Sequence, residues 1–329
     1  MKRICIIFGG SGYIGKAYIR HCLAGDRFDE VHNLDLVPTC IQDARFKEKV
    51  CDVRLPVAER FPEADSETSW IINLAALCRE PGSEPHEYFD TNIKGAEHVT
   101  AFAAASGIRN FFFTSTMSTY GRAAEPTPES APQYPETPYG ISKLVCEKIH
   151  EKWLALEPAR RLVVCRPSVI FGPHDVGNVL RMVKAVKKGY FFFPGNPRIV
   201  KAYGYIQGLL ESFDFTMDRQ DERFIVYNYA EWPLRDLQGM VEAIQGFTGR
   251  KAVTVRLPHS LLLFASHLIQ AAAKVTGKPS PIHPIRVRKV AFPTYIKPQY
   301  LLDAGFPFGY PLEKALEHWH RAAPGDFKS

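Results

Sequence analysis

The stretch that decides the fold runs from Arg3 to Gly15 and reads RICIIFGGSGYIG. Its first half is a short, continuously apolar run, which is typical of a strand buried on both faces of a sheet. Glycines then stand at positions 9, 12 and 15, and a helical pattern follows them. In such a turn Gly9 permits the tight bend, Gly12 lets the backbone approach a diphosphate, and Gly15 lets helix and strand pack closely. The stretch therefore predicts a phosphate cradle at a helix N-terminus.

A carboxylate stands at the end of the second apolar run. Asp35 lies where the ribose of a dinucleotide would follow the phosphates, and a carboxylate there can accept hydrogen bonds from both ribose hydroxyls. The same charge repels a 2′-phosphate, and no arginine follows directly. The sequence therefore predicts NAD rather than NADP as the cofactor.

The first half of the chain repeats the order of strand and helix. Apolar runs predict strands at Arg3–Phe8, Glu30–Leu36, Trp70–Ala75, Asn110–Ser115 and Leu162–Arg166, and helical patterns cover Gly15–Ala24, Asn92–Ala105 and Tyr139–Leu156. This alternation predicts an α/β fold, a doubly wound parallel sheet of the Rossmann type with a smaller C-terminal substrate lobe. We expect residues 1–171 to form the NAD-binding domain, with 201–230 returning to it. The substrate lobe would comprise 172–200 and 231–329.

The candidate catalytic residues are a tyrosine, a lysine and a threonine. Tyr139 and Lys143 share one face of a predicted helix that Pro138 begins. An ammonium group beside a phenol favours the phenolate, so Tyr139 is the predicted general base. Thr116 lies beyond the end of the fifth predicted strand, where this type of sheet binds its ligands, and its hydroxyl is expected to hold the substrate oxygen.

Composition excludes several other classes of protein. The 329 residues carry a net charge of +6 but no long run of lysine and arginine, so we expect no nucleic-acid partner. Seven cysteines without a CxxC pair predict reduced thiols in a cytoplasmic protein. No signal peptide and no apolar run long enough to span a bilayer is evident. No cluster of His, Cys or Asp has the spacing of metal ligands, so no metal is predicted.

Taken together, the motifs resemble those of the extended short-chain dehydrogenases, in particular the NAD-dependent sugar epimerase/dehydratase group. The motifs in question are Gly9-x-x-Gly12-x-x-Gly15, Asp35, Asp52-Val53, Asn73-Leu74-Ala75-Ala76, Thr116-x-x-x-Tyr120-Gly121 and Tyr139-x-x-x-Lys143. The resemblance implies that Thr116 is the catalytic hydroxyl residue and that Lys143 also holds the nicotinamide ribose. It implies a cofactor site formed by Gly9, Gly12, Tyr13, Ile14, Asp35, Asp52, Val53, Leu74, Ala75, Ala76, Asn92, Tyr139, Lys143 and Arg166.

The residues after Thr116 indicate which reaction of this group the chain favours. Dehydratases of this group carry acidic residues there, whereas this chain has Met117 and Ser118, so dehydration is disfavoured. The resemblance then implies a C4 epimerase of a diphosphate-linked sugar, which passes through a transient 4-keto intermediate. A dehydrogenase or ketoreductase on a nucleotide sugar would use the same residues and is the alternative. A non-catalytic NAD-binding regulator is a third interpretation, against which the intact Thr116, Tyr139 and Lys143 argue.

The second half of the chain bears on the substrate. By resemblance, Thr116, Met117, Ser118, Asn178, Lys201 and Arg286 would contact it, with Asn178 and Lys201 near the diphosphate. The carrier would be a nucleotide or a polyprenyl lipid. The overall pattern is most similar to a branch that epimerises N-acetylglucosamine on undecaprenyl diphosphate.

Two further expectations concern assembly and location. The resemblance implies a homodimer through the helices at Asn92–Ala105 and Tyr139–Leu156. The apolar stretch Leu257–Val275 is either a buried helix of the lobe or an interfacial helix. In the second case the protein, at the inner face of the membrane, would contact the bilayer peripherally through 257–289, where Lys278, Arg286, Arg288 and Lys289 could meet anionic lipid.

Overall fold

The computed structural model describes residues 1–79, 82–175, 177–276, 284, 287 and 292–328. Its strands are β1 (Ile4–Phe8), β2 (Glu30–Asp35), β3 (Phe46–Val50), β4 (Trp70–Asn73), β5 (Asn110–Thr114), β6 (Ala123–Thr127), β7 (Arg161–Pro167), β8 (Val169–Phe171), β9 (Tyr190–Pro194), β10 (Tyr203–Tyr205), β11 (Phe224–Tyr229), β12 (Val253–Leu257) and β13 (Thr294–Ile296). Its helices are α1 (Tyr13–Ala24), α2 (Pro85–Tyr88), α3 (Lys94–Ser106), α4 (Pro138–Ala155), α5 (Asn178–Lys187), α6 (Ile206–Met217), α7 (Leu237–Thr248), α8 (His259–Thr276), α9 (Gln299–Asp303) and α10 (Leu312–Ala322). A π-helical turn at Phe89–Ile93 precedes α3, and 3-10 turns lie at Met117–Tyr120 and Pro324–Phe327.

A parallel sheet of seven strands forms the centre, in the order β11-β7-β5-β4-β1-β2-β3. The five predicted strands are present as β1, β2, β4, β5 and β7, and the predicted α/β sheet is confirmed. Strand β3 was not predicted because its sequence, FKEKV, is mostly charged. It lies at the edge of the sheet with most of its side chains in solvent, so it needs no apolar run.

Helices cover both faces of this sheet, which is what makes the fold doubly wound. Along β1, Cys5 and Ile7 pack into one apolar cluster together with side chains of α1 and α6. Phe8 and its alternate neighbours Ile4 and Ile6 pack into a second cluster with α3 and α4. Because neighbouring side chains of a strand point to opposite faces, a continuously apolar strand is the sequence signature of this arrangement.

The second half of the chain adds smaller units to this core. Three pairs of parallel strands, β8 with β10, β9 with β12, and β6 with β13, lie outside the central sheet. Helix α5 packs against α7, and α7 against α10. Strand β11, by contrast, joins the central sheet beside β7. None of the helices that the structure describes is long and apolar enough to cross a membrane.

Candidate active site

The glycine cradle has the geometry that its sequence predicts. Gly9 has a φ of +81°, and a Cβ added there would lie 2.5 Å from the backbone nitrogen of Ala75. A Cβ at Gly15 would lie 2.5 Å from Gly10 Cα, so helix α1 can pack on the turn only through glycine. At Gly12 the nearest atom would be the Gly9 oxygen at 3.5 Å, which leaves this side of the cradle open. Gly12 precedes α1 without a side-chain cap, so the first-turn N–H groups of α1 can bind phosphate.

Asp35 ends β2 beside this cradle. Its carboxylate accepts hydrogen bonds from the backbone N–H groups of Ser11, at 2.9 Å, and Val37, at 3.3 Å. These two bonds fix the carboxylate at the rim of the cradle and leave further lone pairs for ribose hydroxyls. The placement agrees with a site that takes NAD and repels a 2′-phosphate.

The other predicted cofactor contacts follow neighbouring strand ends. Leu74, Ala75 and Ala76 continue directly from β4, where the Leu74 N–H donates to Phe8 O at 2.8 Å. Asp52 pairs with Arg54 through contacts as short as 2.6 Å, and this ion pair holds the pKa of the Asp52 carboxyl below its usual value. Val53 packs against α3 at Gly95, where a Cβ would come within 3.0 Å of a Val53 methyl.

Asn92 connects the cofactor loop to the catalytic helix. It lies in the π-helical turn before α3, and its side chain accepts from Leu77 N at 2.7 Å. Its amide donates to Leu77 O at 3.1 Å and to Ser142 Oγ at 2.9 Å, and Ser142 donates to Tyr139 O at 2.8 Å. Asn92 was predicted as part of the cofactor site, but its side chain is bonded to Leu77 and Ser142, so it acts on that site through these neighbours.

The cradle itself tests whether a cofactor fits here. Its open side at Gly12 leaves room for a diphosphate, and the uncapped first-turn N–H groups of α1 supply hydrogen-bond donors for it. Tyr13, the first residue of α1, buries its hydroxyl oxygen beside Gly172 and Tyr205, so this phenol does not take part in the test. Burial raises the pKa of Tyr13, so the phenol stays neutral. The residues of the cradle therefore fit NAD.

The segments that carry the predicted catalytic residues meet where α4 packs on the 3-10 turn. Thr137 caps α4 by accepting from Gly140 N at 3.1 Å, which places Tyr139 in the first turn. A Cβ at Gly140 would lie 2.6 Å from Ser118 O, so the start of α4 touches the segment that follows Thr116. Thr116 in turn caps that segment by accepting from Ser118 N at 3.2 Å. The structure thus brings the segments of Tyr139 and Thr116 together.

Lys143 lies one turn further along α4 and is buried. Its Nζ lies 4.1 Å from the centroid of the Phe113 ring, a cation–π contact. Burial lowers the pKa of Lys143. An ammonium group one helical turn from the tyrosine favours the ionised phenol, because the negative charge compensates the positive one.

A buried ion pair that was not predicted joins the same helix to β7. Glu147 pairs with Arg166 at 2.7 and 3.0 Å and also accepts from Ser115 Oγ. Arg166 donates to Tyr120 OH at 2.7 Å, and Tyr120 donates to Asn228 Oδ1 at 2.9 Å. Arg166 was predicted as a cofactor contact, but its guanidinium is committed to this network. The available signal was Glu147, one helical turn after Lys143.

A cavity of about 640 Å³ opens beside the catalytic segments. Its walls include Met117, Ser118, Gly121, Glu136, Thr137, Val169, Asn178, Val179, Arg181, Met182, Phe191, Phe192, Pro194, Lys201, Ala202, Tyr203, Leu237, Met240, Phe292 and Thr294. Four predicted substrate contacts, Met117, Ser118, Asn178 and Lys201, are therefore together. Arg181, one turn after Asn178, was not predicted. Arg286 lies outside the described residues.

The described residues contain no group of three or more His, Cys, Asp or Glu side chains placed to hold a metal ion.

Comparisons with known proteins address the family and the fold. Residues 5–228, about two thirds of the chain, match the NAD dependent epimerase/dehydratase family. The N-acetyl-alpha-D-glucosaminyl-diphospho-ditrans,octacis-undecaprenol 4-epimerase of Escherichia coli O157:H7 is 27% identical over 95% of this chain and 92% of its own length. The UDP-glucose 4-epimerase of Streptomyces lividans is 30% identical over 43% of this chain and 45% of its own length.

Solved structures agree with the fold. The UDP-N-acetylglucosamine 4-epimerase from Bacillus cereus superposes with a TM-score of 0.71 at 16% identity, covering 98% of this chain and 97% of that one. MoeE5 in complex with UDP-glucuronic acid and NAD gives 0.71 at 18% identity, covering 97% and 99%. The predicted family, the NAD cofactor and the class of NAD-dependent sugar epimerase are confirmed. The chain belongs to the NAD dependent epimerase/dehydratase family.

Proposed function

We propose that this protein inverts C4 of N-acetylglucosamine while the sugar is carried on a polyprenyl diphosphate. The proposal rests on the share of the chain that each relative matches. The match to the undecaprenol-linked 4-epimerase covers 95% of the chain, so it includes the lobe that would hold the carrier. The match to the UDP-glucose 4-epimerase of Streptomyces lividans covers less than half of the chain.

The chemistry starts at Tyr139. Bound NAD would accept the hydride from C4 of the sugar and return it. Tyr139 removes the proton of the C4 hydroxyl, and Lys143, buried one helical turn further along α4, favours the phenolate that does so. Thr116 holds the same oxygen by a hydrogen bond. The 4-keto intermediate then turns over in the site, so that the returned hydride would reach C4 from the opposite face, and Tyr139 gives the proton back to the C4 oxygen.

The cavity walls suit a diphosphate-linked sugar that is not dehydrated. Met117 and Ser118, which line the cavity beside Thr116, supply no acid to expel a hydroxyl group. Asn178 starts α5 behind Gly177 without a side-chain cap, so the N–H groups of its first turn can receive an anion. Arg181 and Lys201 add positive charge to the same wall. We assign these groups to the diphosphate.

Peripheral membrane contact is part of this proposal, since a polyprenyl-linked sugar cannot leave the bilayer. Helix α8 supports it, because Leu261, Phe264 and Leu268 fall on one helical face and are 54–64% exposed. Leu262, in contrast, is half-buried. The face is thus the one expected of an interfacial helix. Lys278, Arg286, Arg288 and Lys289, the predicted basic partners, lie outside the described residues.

Dimerisation and domain division are likewise proposed. Helices α3 and α4 pack side by side, and Ile141 and Val145 expose apolar surface one turn apart on α4. This surface supports a homodimer through the two helices, and a monomeric mass at micromolar concentration would contradict it. The return of β11 to the central sheet supports residues 201–230 as part of the cofactor domain.

The deciding experiment offers two substrates to the purified protein with NAD. N-acetylglucosamine on undecaprenyl diphosphate, in detergent micelles, should be converted to the C4 epimer, as read by NMR of the released sugar. UDP-N-acetylglucosamine should be a poor substrate. Efficient turnover of the UDP-sugar alone would overturn the polyprenyl carrier, and stoichiometric consumption of added NAD would identify a dehydrogenase instead.

A further inference from the structure

The two-stranded sheet of β9 and β12 has an apolar face in solvent. The strands are parallel, with Tyr190 opposite Val253 and Phe192 opposite Val255. Because alternate side chains of a strand share a face, these four residues form one surface, and they are 39–69% exposed. The rings of Tyr190 and Phe192 lie 5.6 Å apart. Four large apolar side chains in paired positions form a patch rather than scattered exposures.

The opposite face of β9 fastens this sheet to the core. Phe193 is buried there and Phe191 is half-buried, and their rings lie 5.1 Å apart. The outer face is therefore held in place by a packed inner one. It is not the exposed side of a loose strand.

This outer face is continuous with the substrate cavity. Phe192 belongs both to the apolar face and to the cavity wall, and Pro194, two residues on, also lines the cavity. Tyr190, at the other end of β9, does not line it. The face therefore leads out of the cavity along β9, over about 13 Å from Pro194 to Tyr190.

We propose that this face, which we name the β9–β12 face, binds the apolar chain of a lipid-linked substrate. The inference rests on the proposed polyprenyl carrier and adds the place where its first isoprene units lie. A nucleotide carrier would bring polar groups to this exit, whereas the four side chains offer only the Tyr190 hydroxyl to them. Burial of hydrocarbon on this surface contributes binding in proportion to the area covered.

Charge at the far end of the face indicates where such a chain comes from. Lys187 and Lys188 precede β9, and Arg250 and Lys251 precede β12; all four are exposed. Because the strands are parallel, these residues lie at the same end of the sheet, away from the cavity. A chain that leaves the cavity along the face thus reaches a basic rim that suits anionic lipid headgroups.

The test compares carriers of different length in detergent micelles, which removes the need to dock on a bilayer. The probes are N-acetylglucosamine on undecaprenyl diphosphate and on farnesyl diphosphate. The variants are Val253→Thr with Val255→Thr, which keep shape and strand propensity, and Tyr190→Ser. Phe224→Ser is the matched control, since Phe224 and Tyr190 are both aromatic, both 43% exposed and both at the start of a strand.

We expect the β9–β12 variants to lower kcat/KM for the lipid-linked substrates about tenfold through KM, with kcat and the melting temperature unchanged. The loss in kcat/KM should be equal for the undecaprenyl and farnesyl carriers, because the face is long enough to bind only the first isoprene units. The Phe224 control should match the wild type.

Wild-type kinetics of the β9–β12 variants on both lipids would overturn the inference while leaving the polyprenyl carrier intact. Turnover of UDP-N-acetylglucosamine alone would instead remove the proposed function on which it rests. A lower oligomeric mass of the β9–β12 variants than of the wild type would show that a second copy of the chain covers the face, and this result would also overturn the inference.

Discussion

The cofactor half and the substrate lobe treat apolar side chains in opposite ways. In the central sheet Phe111, Phe112 and Phe113 are all buried, and Asp35 at the end of β2 is held by two hydrogen bonds from backbone N–H groups. In the lobe, Phe192 stands in solvent on a strand of similar sequence, and α8 exposes Leu261 and Phe264. The difference is the one we expect if the first half holds one fixed geometry for the cofactor. The lobe would then keep apolar surface for the proposed lipid-linked substrate and the membrane.

Tyr139→Phe should cause the largest loss of turnover, because the fixed geometry of the cofactor half offers no second phenol in its place. The variant keeps the ring but loses the proton-transferring group, so turnover should fall by about 10²–10⁴. Binding of NAD, measured by titration, should be retained. Tyr134→Phe, at an exposed tyrosine shortly before α4, is the control and should behave as the wild type. Near-normal turnover of Tyr139→Phe would remove Tyr139 from the role of general base.

Glu147→Gln should give the largest loss of stability. It leaves the Arg166 guanidinium buried without its charge partner, which costs roughly 3–5 kcal/mol in the free energy of unfolding. Glu151→Gln is the matched control on the same helix, because Glu151 pairs with Lys148 on the surface and such pairs contribute less than about 1 kcal/mol. Urea denaturation measures both. Equal, small losses would show that the cofactor half is not held by this pair.

Asp35→Asn should have a more moderate effect. The amide oxygen can still accept from Ser11 N, but the charge that repels a 2′-phosphate is gone. We expect the affinity ratio of NAD to NADP to fall about tenfold, as measured by titration with both cofactors. Asp43→Asn, outside the cradle, should leave the ratio unchanged. Tighter NADP than NAD binding by the wild type would contradict the assignment of Asp35.

Leu261→Ser with Phe264→Ser should barely affect stability. Both side chains are exposed on α8, so the melting temperature should stay within a few degrees, while co-sedimentation with anionic liposomes at low salt should weaken. Val50→Ser, at an exposed position on β3, is the control. A large drop in melting temperature would instead mean that this face of α8 is packed, which would erase the contrast between the two halves.

The features that could be predicted from sequence are those with a local cause. The glycines at 9, 12 and 15 lie within one strand–turn–helix segment, and Tyr139 and Lys143 are related by one helical turn. The edge strand β3 could not be predicted, because an exposed strand needs no apolar pattern. The exposure of the apolar face of α8 could not be predicted either, since an apolar helix has the same sequence pattern whether a protein core or another partner covers it.

The Glu147–Arg166 network shows a different limit. Glu147, Arg166, Tyr120 and Asn228 come from four separate segments, and only the order of strands β5, β7 and β11 brings them together. Each residue alone reads as an ordinary polar side chain. Arg166 was accordingly predicted as a cofactor contact, since its place in the chain was known but its partner was not.

Asn228 has a consequence for any attempt to exchange lobes between relatives. Its side-chain amide donates to Lys297 O at 2.9 Å and to Thr127 O at 3.2 Å, and its N–H donates to Glu129 Oε1 at 2.8 Å. The seam between the two halves is therefore closed by residues distant in sequence. A chimaera that grafts a foreign lobe at residues 172–200 and 231–329 would inherit a foreign segment at 297 and must match it to Asn228 and Glu129. Transplanting carrier specificity thus requires moving the seam together with the lobe.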